Sequence, residues 1–416
     1  MLVDGPTEVH WVVVEVRPTS ASGATGSSEW YQVPVALSAA YPSDILDGGY
    51  LGTLDRDGSD VHVFDALAEP AAALALAAVV TPAAAGQSAA RPVTGGRAST
   101  SVVLGDRFVL KVFRRLEQGA NPDVELTTAL AEHGFGAVPA PVEVWRRNDT
   151  DLGVLRRHER TRTDGAAMAA ASLEELFDRA CPPRDGKLDM VKDSRQLGTT
   201  VADLHVALAE SMGFVPAPGA DWAATMAAQL HRVAGDRIDA PRVEEIFDRL
   251  RVAPDLGAAI RIHGDLDLAQ ALRLPRGWLL IDFEGEPERP VEERRAPSSP
   301  LRDVAGMMRS YQQAASVALR ARDGGTEDER VLARAWAERN MNAFLAGYAE
   351  VDAVHPLLPR TRGARDALLS VFELDKAVYD VAYELAHRPE LVDAPVQSVS
   401  RLVEGDPPLP DFPPEP

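Results

Sequence analysis

His263-Gly264-Asp265-Leu266-Asp267-Leu268-Ala269-Gln270, followed by Leu280-Ile281-Asp282-Phe283-Glu284, is the stretch whose reading decides the fold. A carboxylate, Asp265, precedes a side-chain amide, Gln270, by five residues, and Asp282 follows seventeen residues after Asp265, at the end of an apolar strand. Phosphoryl transfer to a hydroxyl needs such a set. One carboxylate orients the attacking hydroxyl and takes its proton, while an amide oxygen and a second carboxylate hold Mg²⁺ against the nucleotide phosphates. Asp265 is then the expected base, Gln270 and Asp282 the expected Mg²⁺ ligands, and ATP the expected donor. A lone His-Gly-Asp, or a lone Asp after a buried strand, carries little; their order and spacing together carry the reading. His263 is expected to be structural, and Asp303, in SPLRDVAGMMRS, to brace the loop through hydrogen bonds.

Upstream, STSVVLG and RFVLKVF are joined by Gly-Asp and read as a β-hairpin. Lys111 lies in its second strand, where a kinase uses a lysine to neutralise the α- and β-phosphates and pairs it with a helix glutamate. Lysine is scarce in this chain, which has only four: Lys111, Lys187, Lys192 and Lys376. In NPDVELTTALAEHG, Asn121 suits an N-cap, Pro122 the first helical position and Gly134 the stop. Glu125, one turn in, is the expected partner of Lys111. VPAPVEVWRR and TDLGVLRRHE add two strands. Sheet, helix, sheet is the order of a small kinase lobe. Thr94–Thr100 lacks a Gly-x-Gly-x-x-Gly pattern and reads either as a phosphate-covering loop, with Ser99 and Thr100 facing ATP, or as a linker.

The fold expected is therefore α+β: a protein-kinase-like, two-lobed structure preceded by an α+β cap. Residues 1–90 form the cap, with strands in HWVVVEV, EWYQVPVAL and VHVFDAL, a helix over 68–80 and a linker over 81–96. Residues 91–160 form the small lobe and 161–400 a helical lobe. In the latter, Leu197, Val201, Leu204 and Leu208 recur on one helix face. Residues 401–416 read as a disordered, proline-rich acidic tail. Near the C-terminus, Lys376, Tyr379, Asp380, Tyr383 and Glu384 share a helix face that suits a polyol.

Composition narrows the alternatives. The net charge of −20 argues against nucleic-acid binding. The single cysteine, Cys181, excludes an internal disulfide. No signal peptide or membrane span is read, so a cytoplasmic location is expected. There is no zinc spacing around His205 or His263, no Walker sequence and no Gly-x-Ser-x-Gly. Oligomeric state is left open.

With these residues in hand, the chain resembles the bacterial maltokinases, which are related to aminoglycoside phosphotransferases. The resemblance rests on SVVLGDRFVLKVFRRLEQGANPDVELTTAL, on HGDLDLAQALRLPRGWLLIDFEGEPERPVEERRAPSSPLRDVAGMMRS and on FELDKAVYDVAYELAHRP, with YQVP near 31–34 matching the family's cap. It implies a protein-kinase-like fold, ATP with Mg²⁺, and a sugar acceptor. The chain reads HGDLDLAQ where maltokinases typically read HGDLHLGQ, so Asp267 and Ala269 depart from the pattern. That departure favours the divergent glucosamine kinase branch, whose product would be glucosamine 6-phosphate. Asp267 is the first candidate for contacting the amine. Maltose, giving maltose 1-phosphate, is the alternative acceptor, and a non-catalytic pseudokinase module is the alternative of another class.

Overall fold

The computed structural model describes residues 1–17, 28–93, 98–159, 163–233, 235, 237–405 and 412–413. Runs of β-branched and aromatic residues make the first sheet: β1 (Thr7–Val16), β2 (Glu29–Ser38), β3 (Tyr50–Arg56) and β4 (Ser59–Asp65), in the order β1-β2-β4-β3. The alanine-rich α1 (Pro70–Val80) is capped by Glu69, whose carboxylate accepts from the amides of Ala71 and Ala72. Its buried residues include Ala73, Leu76 and Ala77, at spacings of 3 and 4. β5 (Ala90–Val93) lies within the stretch expected to be a linker. It is the edge strand of a second sheet, where Pro92 is tolerated, and this placement hid it in an Ala/Pro/Gly-rich segment.

The hairpin is present: β6 (Ser99–Leu104) pairs with β7 (Phe108–Phe113), Leu104 opposite Phe108, across Gly105 at φ +55°. A short β8 (Arg115–Leu116) pairs with β2, and α2 (Pro122–His133) follows. The amide of Asp123 donates to Asn121 Oδ1 (2.9 Å), and Gly134 leaves the helix at φ +91°. β9 (Pro141–Arg147) and β10 (Thr150–Arg157) complete the sheet in the order β5-β6-β7-β10-β9. Both sheets and α1 share one core, in which Val9, Phe64 and Leu76 join Val102, Leu110 and Leu155. Gln32, fully buried in β2, stitches the sheets together. Its amide donates to the carbonyls of Phe113 and Leu152, both at 2.6 Å, and accepts from Trp11 Nε1 at 2.9 Å. Residues Met1–Thr128 and Pro139–Arg160 thus form one compact unit, in which cap and small lobe are continuous.

The second unit comprises Ala129–Val138 and Thr161–Pro416. After β11 (Thr163–Asp164) come α3 (Gly165–Arg179) and α4 (Val191–Met212), the latter burying Leu197, Val201, Leu204 and Leu208 as its spacing requires. β12 (Phe214–Pro216), α5 (Gly219–Val233), α6 (Ala240–Val252) and β13 (Ala258–Ile260) lead to the His263 loop. The loop runs into the hairpin of β14 (Ala271–Leu274) and β15 (Gly277–Leu280), and then α7 (Val291–Arg295). α8 (Pro300–Arg320), α9 (Glu327–Ala349), α10 (Arg362–His387) and α11 (Asp393–Glu404) finish the unit. Gly306 lets α8 approach the loop: a Cβ there would lie 2.9 Å from the Leu266 carbonyl.

The expected tail boundary at 401 is corrected. Residues 401–404 close α11, because its apolar face continues to bury Val399 before Gly405 ends it at φ +83°. Phe412 is buried as well, its amide donating to Asp366 Oδ1 (2.9 Å) and its ring lying 6.2 Å from Tyr348. The other residues of that tail, 406–411 and 414–416, lie outside the described residues. Among the described residues, no helix is long and apolar enough to cross a membrane.

Candidate active site

In the first unit Lys111 projects from β7 into a buried ion cluster. Its Nζ donates to Asp123 Oδ2 at 2.9 Å, and Arg156 Nη1 of β10 donates to the same oxygen at 3.0 Å. Burial alone would raise the Asp123 carboxyl, but Arg156 and Lys111 outweigh it and hold the group well below the usual carboxylate range. Asp123, on the same helix as Glu125 and two residues before it, thus sits against Lys111. Arg156 also reaches Thr127 Oγ1 (3.1 Å). Ser99 opens β6 and is nearly buried. The Thr100 hydroxyl accepts from Arg114 Nε (2.8 Å), and Arg114 in turn pairs with Asp65 at 2.5 Å. Thr100 is thus tied to the cap–lobe junction. Residues 94–97 of that proposed loop lie outside the described residues.

In the second unit the His263 loop is held from beneath. Asp303 of α8 accepts from the amides of His263 (2.8 Å) and Gly264 (2.9 Å) and meets His205 Nε2 at 3.1 Å; His205 Nδ1 meets Tyr348 Oη at 2.8 Å. Burial raises the Asp303 carboxyl, yet the hydrogen bond and charge from His205 bring it below its ordinary value. His263 packs on Phe283, ring centroids 4.4 Å apart, and its Nε2 meets the carbonyl of Ile281 at 2.9 Å. These bonds fix the loop that presents Asp265.

Gln270 and Asp282 are brought together by the β14–β15 hairpin. Ala271 pairs with Leu280, and the amide of Ile281 donates to the Gln270 carbonyl at 3.0 Å, so the two residues sit at the same end of the ladder. Asp282 adopts φ +68°, a conformation a non-glycine residue rarely takes. A carboxylate oxygen of Asp282 lies within 4.8 Å of one of Glu284. Glu284 thereby joins the oxygen donors at this end, a role that sequence reading did not assign it.

Asp265 itself faces α10. Lys376 Nζ donates to Asp265 Oδ1 at 3.0 Å and to Glu286 Oε1 at 2.6 Å. Glu286 pairs with Arg289, Arg289 Nη2 bonds Asp375 Oδ2 at 2.9 Å and Nη1 bonds Glu293 at 2.6 Å, and Arg302 of α8 reaches the same Asp375 oxygen at 2.9 Å. Burial, with repulsion from Glu286 and Asp267, pushes the Asp265 carboxyl up to about 6 against the pull of Lys376. For Glu286 burial also pushes upward, but Arg289, Lys376 and Arg302 win and hold it at about 2.

The remaining residues of the expected sugar face divide. Tyr379 packs its ring 4.5 Å from Lys376 Nζ, inside the cluster. Asp380 pairs with Arg309 at 2.8 Å and lies 3.9 Å from Lys376. Glu384 is engaged bidentately by Arg388, at 2.9 and 2.5 Å, and Tyr383 packs on His387. Lys376 is thus a partner of the expected base, and Glu384 is taken up by its own helix. Asp267 has a structural part as well. Its Oδ1 accepts from the amides of Ala269 (2.7 Å) and Gln270 (3.1 Å), capping the short turn at 268–270. An Asp at this spacing before a turn satisfies backbone donors first. A cavity of about 560 Å³ borders the loop at Asp267, Leu268 and Ala269, but Asp265 is not among its lining residues.

Sequence reading missed Asp123, Arg156, Glu286 and the Arg289–Asp375–Arg302 lattice. Glu286 and Arg289, three apart in GEPERP, were the available signal.

No family model matches the chain. It is 29% identical over 407 aligned positions to a glucosamine kinase of Streptacidiphilus jiangxiensis, covering 86% of this chain and 83% of that protein. A glucosamine kinase of Mycolicibacterium smegmatis (strain ATCC 700084 / mc(2)155) is 27% identical over 336 positions, covering 76% and 79%. Among solved structures, a glucosamine kinase in complex with glucosamine, ADP and inorganic phosphate superposes with a TM-score of 0.63 at 23% identity, covering 97% of this chain and 95% of that one. A glucosamine kinase in crystal form A gives 0.65 at 22% identity, covering 94% and 90%. The fold is therefore the α+β, two-lobed kinase-like one, and the chain is a divergent relative of the glucosamine kinases.

Proposed function

We propose that this chain is an ATP-dependent glucosamine kinase, moving the γ-phosphoryl group of ATP to the 6-hydroxyl of glucosamine. The observation that carries the reading is the fixed loop presenting Asp265, in a chain aligned over 86% of its length with a glucosamine kinase. The hydroxyl oxygen attacks the γ-phosphorus as the bond to the β–γ bridging oxygen breaks, ADP leaves, and the hydroxyl proton passes to an Asp265 oxygen. Lys111, fixed by Asp123, supplies positive charge for the nucleotide phosphates. The side-chain oxygens of Gln270, Asp282 and Glu284 are hard donors that suit Mg²⁺. That ion would neutralise charge on the phosphates. The carboxylate-rich surroundings of Asp265 favour an acceptor bearing an ammonium group over a neutral sugar.

Incubation with Mg·ATP and glucosamine tests the reading. The expected product is a glucosamine phosphate whose C6 carbon couples to phosphorus in NMR. ATP turnover that ignores glucosamine, or phosphate at another carbon, would contradict it.

A further inference from the structure

The lattice beneath Asp265 does more than fill the core. We propose that Glu286 is a positioning residue for the reaction: it holds the Lys376 ammonium, and Lys376 holds Asp265 Oδ1 in place for the acceptor hydroxyl. The proposal deepens the kinase reading and rests on it for the identity of the base.

The geometry is that of a relay anchored at one end. Lys376 Nζ lies between two carboxylates, at 2.6 Å from Glu286 and 3.0 Å from Asp265, so the shorter contact is to the residue that does no chemistry. Glu286 is 2% exposed and cannot move away, because Arg289 grips it from the other side. Arg289 is in turn tied to Asp375 and Glu293, and Asp375 to Arg302. Three carboxylates, Glu286, Glu293 and Asp375, and two guanidinium groups, Arg289 and Arg302, thus fix one ammonium, and that ammonium fixes the reactive carboxylate. Fixing a reacting group in this way lowers the cost of reaching the transition state. The charged groups facing Asp265 come from several elements: Lys376, Asp375 and Tyr379 from α10, Arg302 and Asp303 from α8, Glu286 from the segment after β15, and Asp267 and His263 from its own loop. Removing Lys376 or Glu286 therefore changes the Asp265 carboxyl with opposite sign. Loss of the cation leaves Asp265 beside Glu286 and raises it. Loss of the Glu286 charge leaves Lys376 to Asp265 alone and lowers it.

The test is the acid limb of the kcat/KM–pH profile, measured with Mg·ATP and whichever acceptor turns over best. Lys376→Met should move the limb to higher pH and Glu286→Gln to lower pH, each by about one unit, with kcat falling more than KM rises. Shifts in the same direction, or none, in variants that melt cooperatively would overturn the proposal. A second measurement needs no acceptor. With only four lysines in the chain, ¹³Cε-lysine labelling gives few signals, and Lys376→Met assigns the one of interest. That signal should step as Asp265 titrates near pH 6 and lose the step in Asp265→Asn. A Lys376 signal without the step refutes the relay even if Glu286→Gln fails to fold. Failure of glucosamine as acceptor alone would sink the proposed substrate and leave the relay standing.

Discussion

Two buried ion clusters, one in each unit, differ in which charge stands at the centre: a carboxylate between cations in one, an ammonium between carboxylates in the other. In the first unit two cations, Lys111 and Arg156, share the carboxylate of Asp123. In the second, the cations Lys376, Arg289 and Arg302 are set among Asp265, Glu286, Glu293 and Asp375. A carboxylate that holds two cations in place fits the proposed nucleotide site, which must meet a polyanion. The second group is net negative, as a site for a base and a cationic acceptor should be. Burial raises the cost of depriving either centre of its partners.

The largest effect that would break this comparison is on chemistry. Asp265→Asn should keep nucleotide binding and lose about 10²–10⁴ in kcat, the usual contribution of a general base. Near wild-type turnover in a steady-state assay would remove Asp265 from that role. The same substitution should raise stability at neutral pH. The folded Asp265 carboxyl is raised by burial, so what it contributes to stability is present below about pH 4 and lost as pH rises through about 6. Asp265→Asn should therefore unfold with about 1–3 kcal/mol more free energy than wild type at pH 8, and show no such gain at pH 4, by urea titration.

The first cluster has the opposite sign. Asp123 is lowered, so its contribution is present above about pH 4 and lost as pH falls further. Asp123→Ala leaves Lys111 and Arg156 buried without that carboxylate and should cost about 3–5 kcal/mol. A loss below about 1 kcal/mol would mean the cluster is solvated and the comparison fails. Asp282→Ala should make nucleotide affinity, by calorimetry, nearly insensitive to Mg²⁺. The smallest effect concerns Asp267. Asp267→Ala should destabilise by about 1 kcal/mol, whereas Asp267→Asn, which keeps a capping oxygen, should stay close to wild type in both stability and acceptor preference. A collapse of glucosamine preference in the Asn variant would mark Asp267 as the amine contact.

What was legible in the sequence follows from range. The β6–β7 hairpin, the Asn121 cap and the Gly134 stop are local signals, and each appears where the residues put it. The His263 loop and Asp282 strand are linked by a hairpin of a few residues, so their meeting was also near-local. The place of Asp123 against Lys111 depends on helix phase relative to a strand, a tertiary fact. The Glu286 lattice joins residues about ninety positions apart, Glu286 to Lys376, which no spacing rule reaches. β5 was hidden because an edge strand tolerates the proline that reads as a breaker.

The measurement that tests the central claim most directly is acceptor preference with Mg·ATP. If the net-negative cluster selects a cationic sugar, kcat/KM for glucosamine should exceed that for glucose and for maltose by at least about tenfold, the equivalent of about 1.4 kcal/mol. Equal efficiency on glucose and glucosamine, or a preference for maltose, would contradict the account.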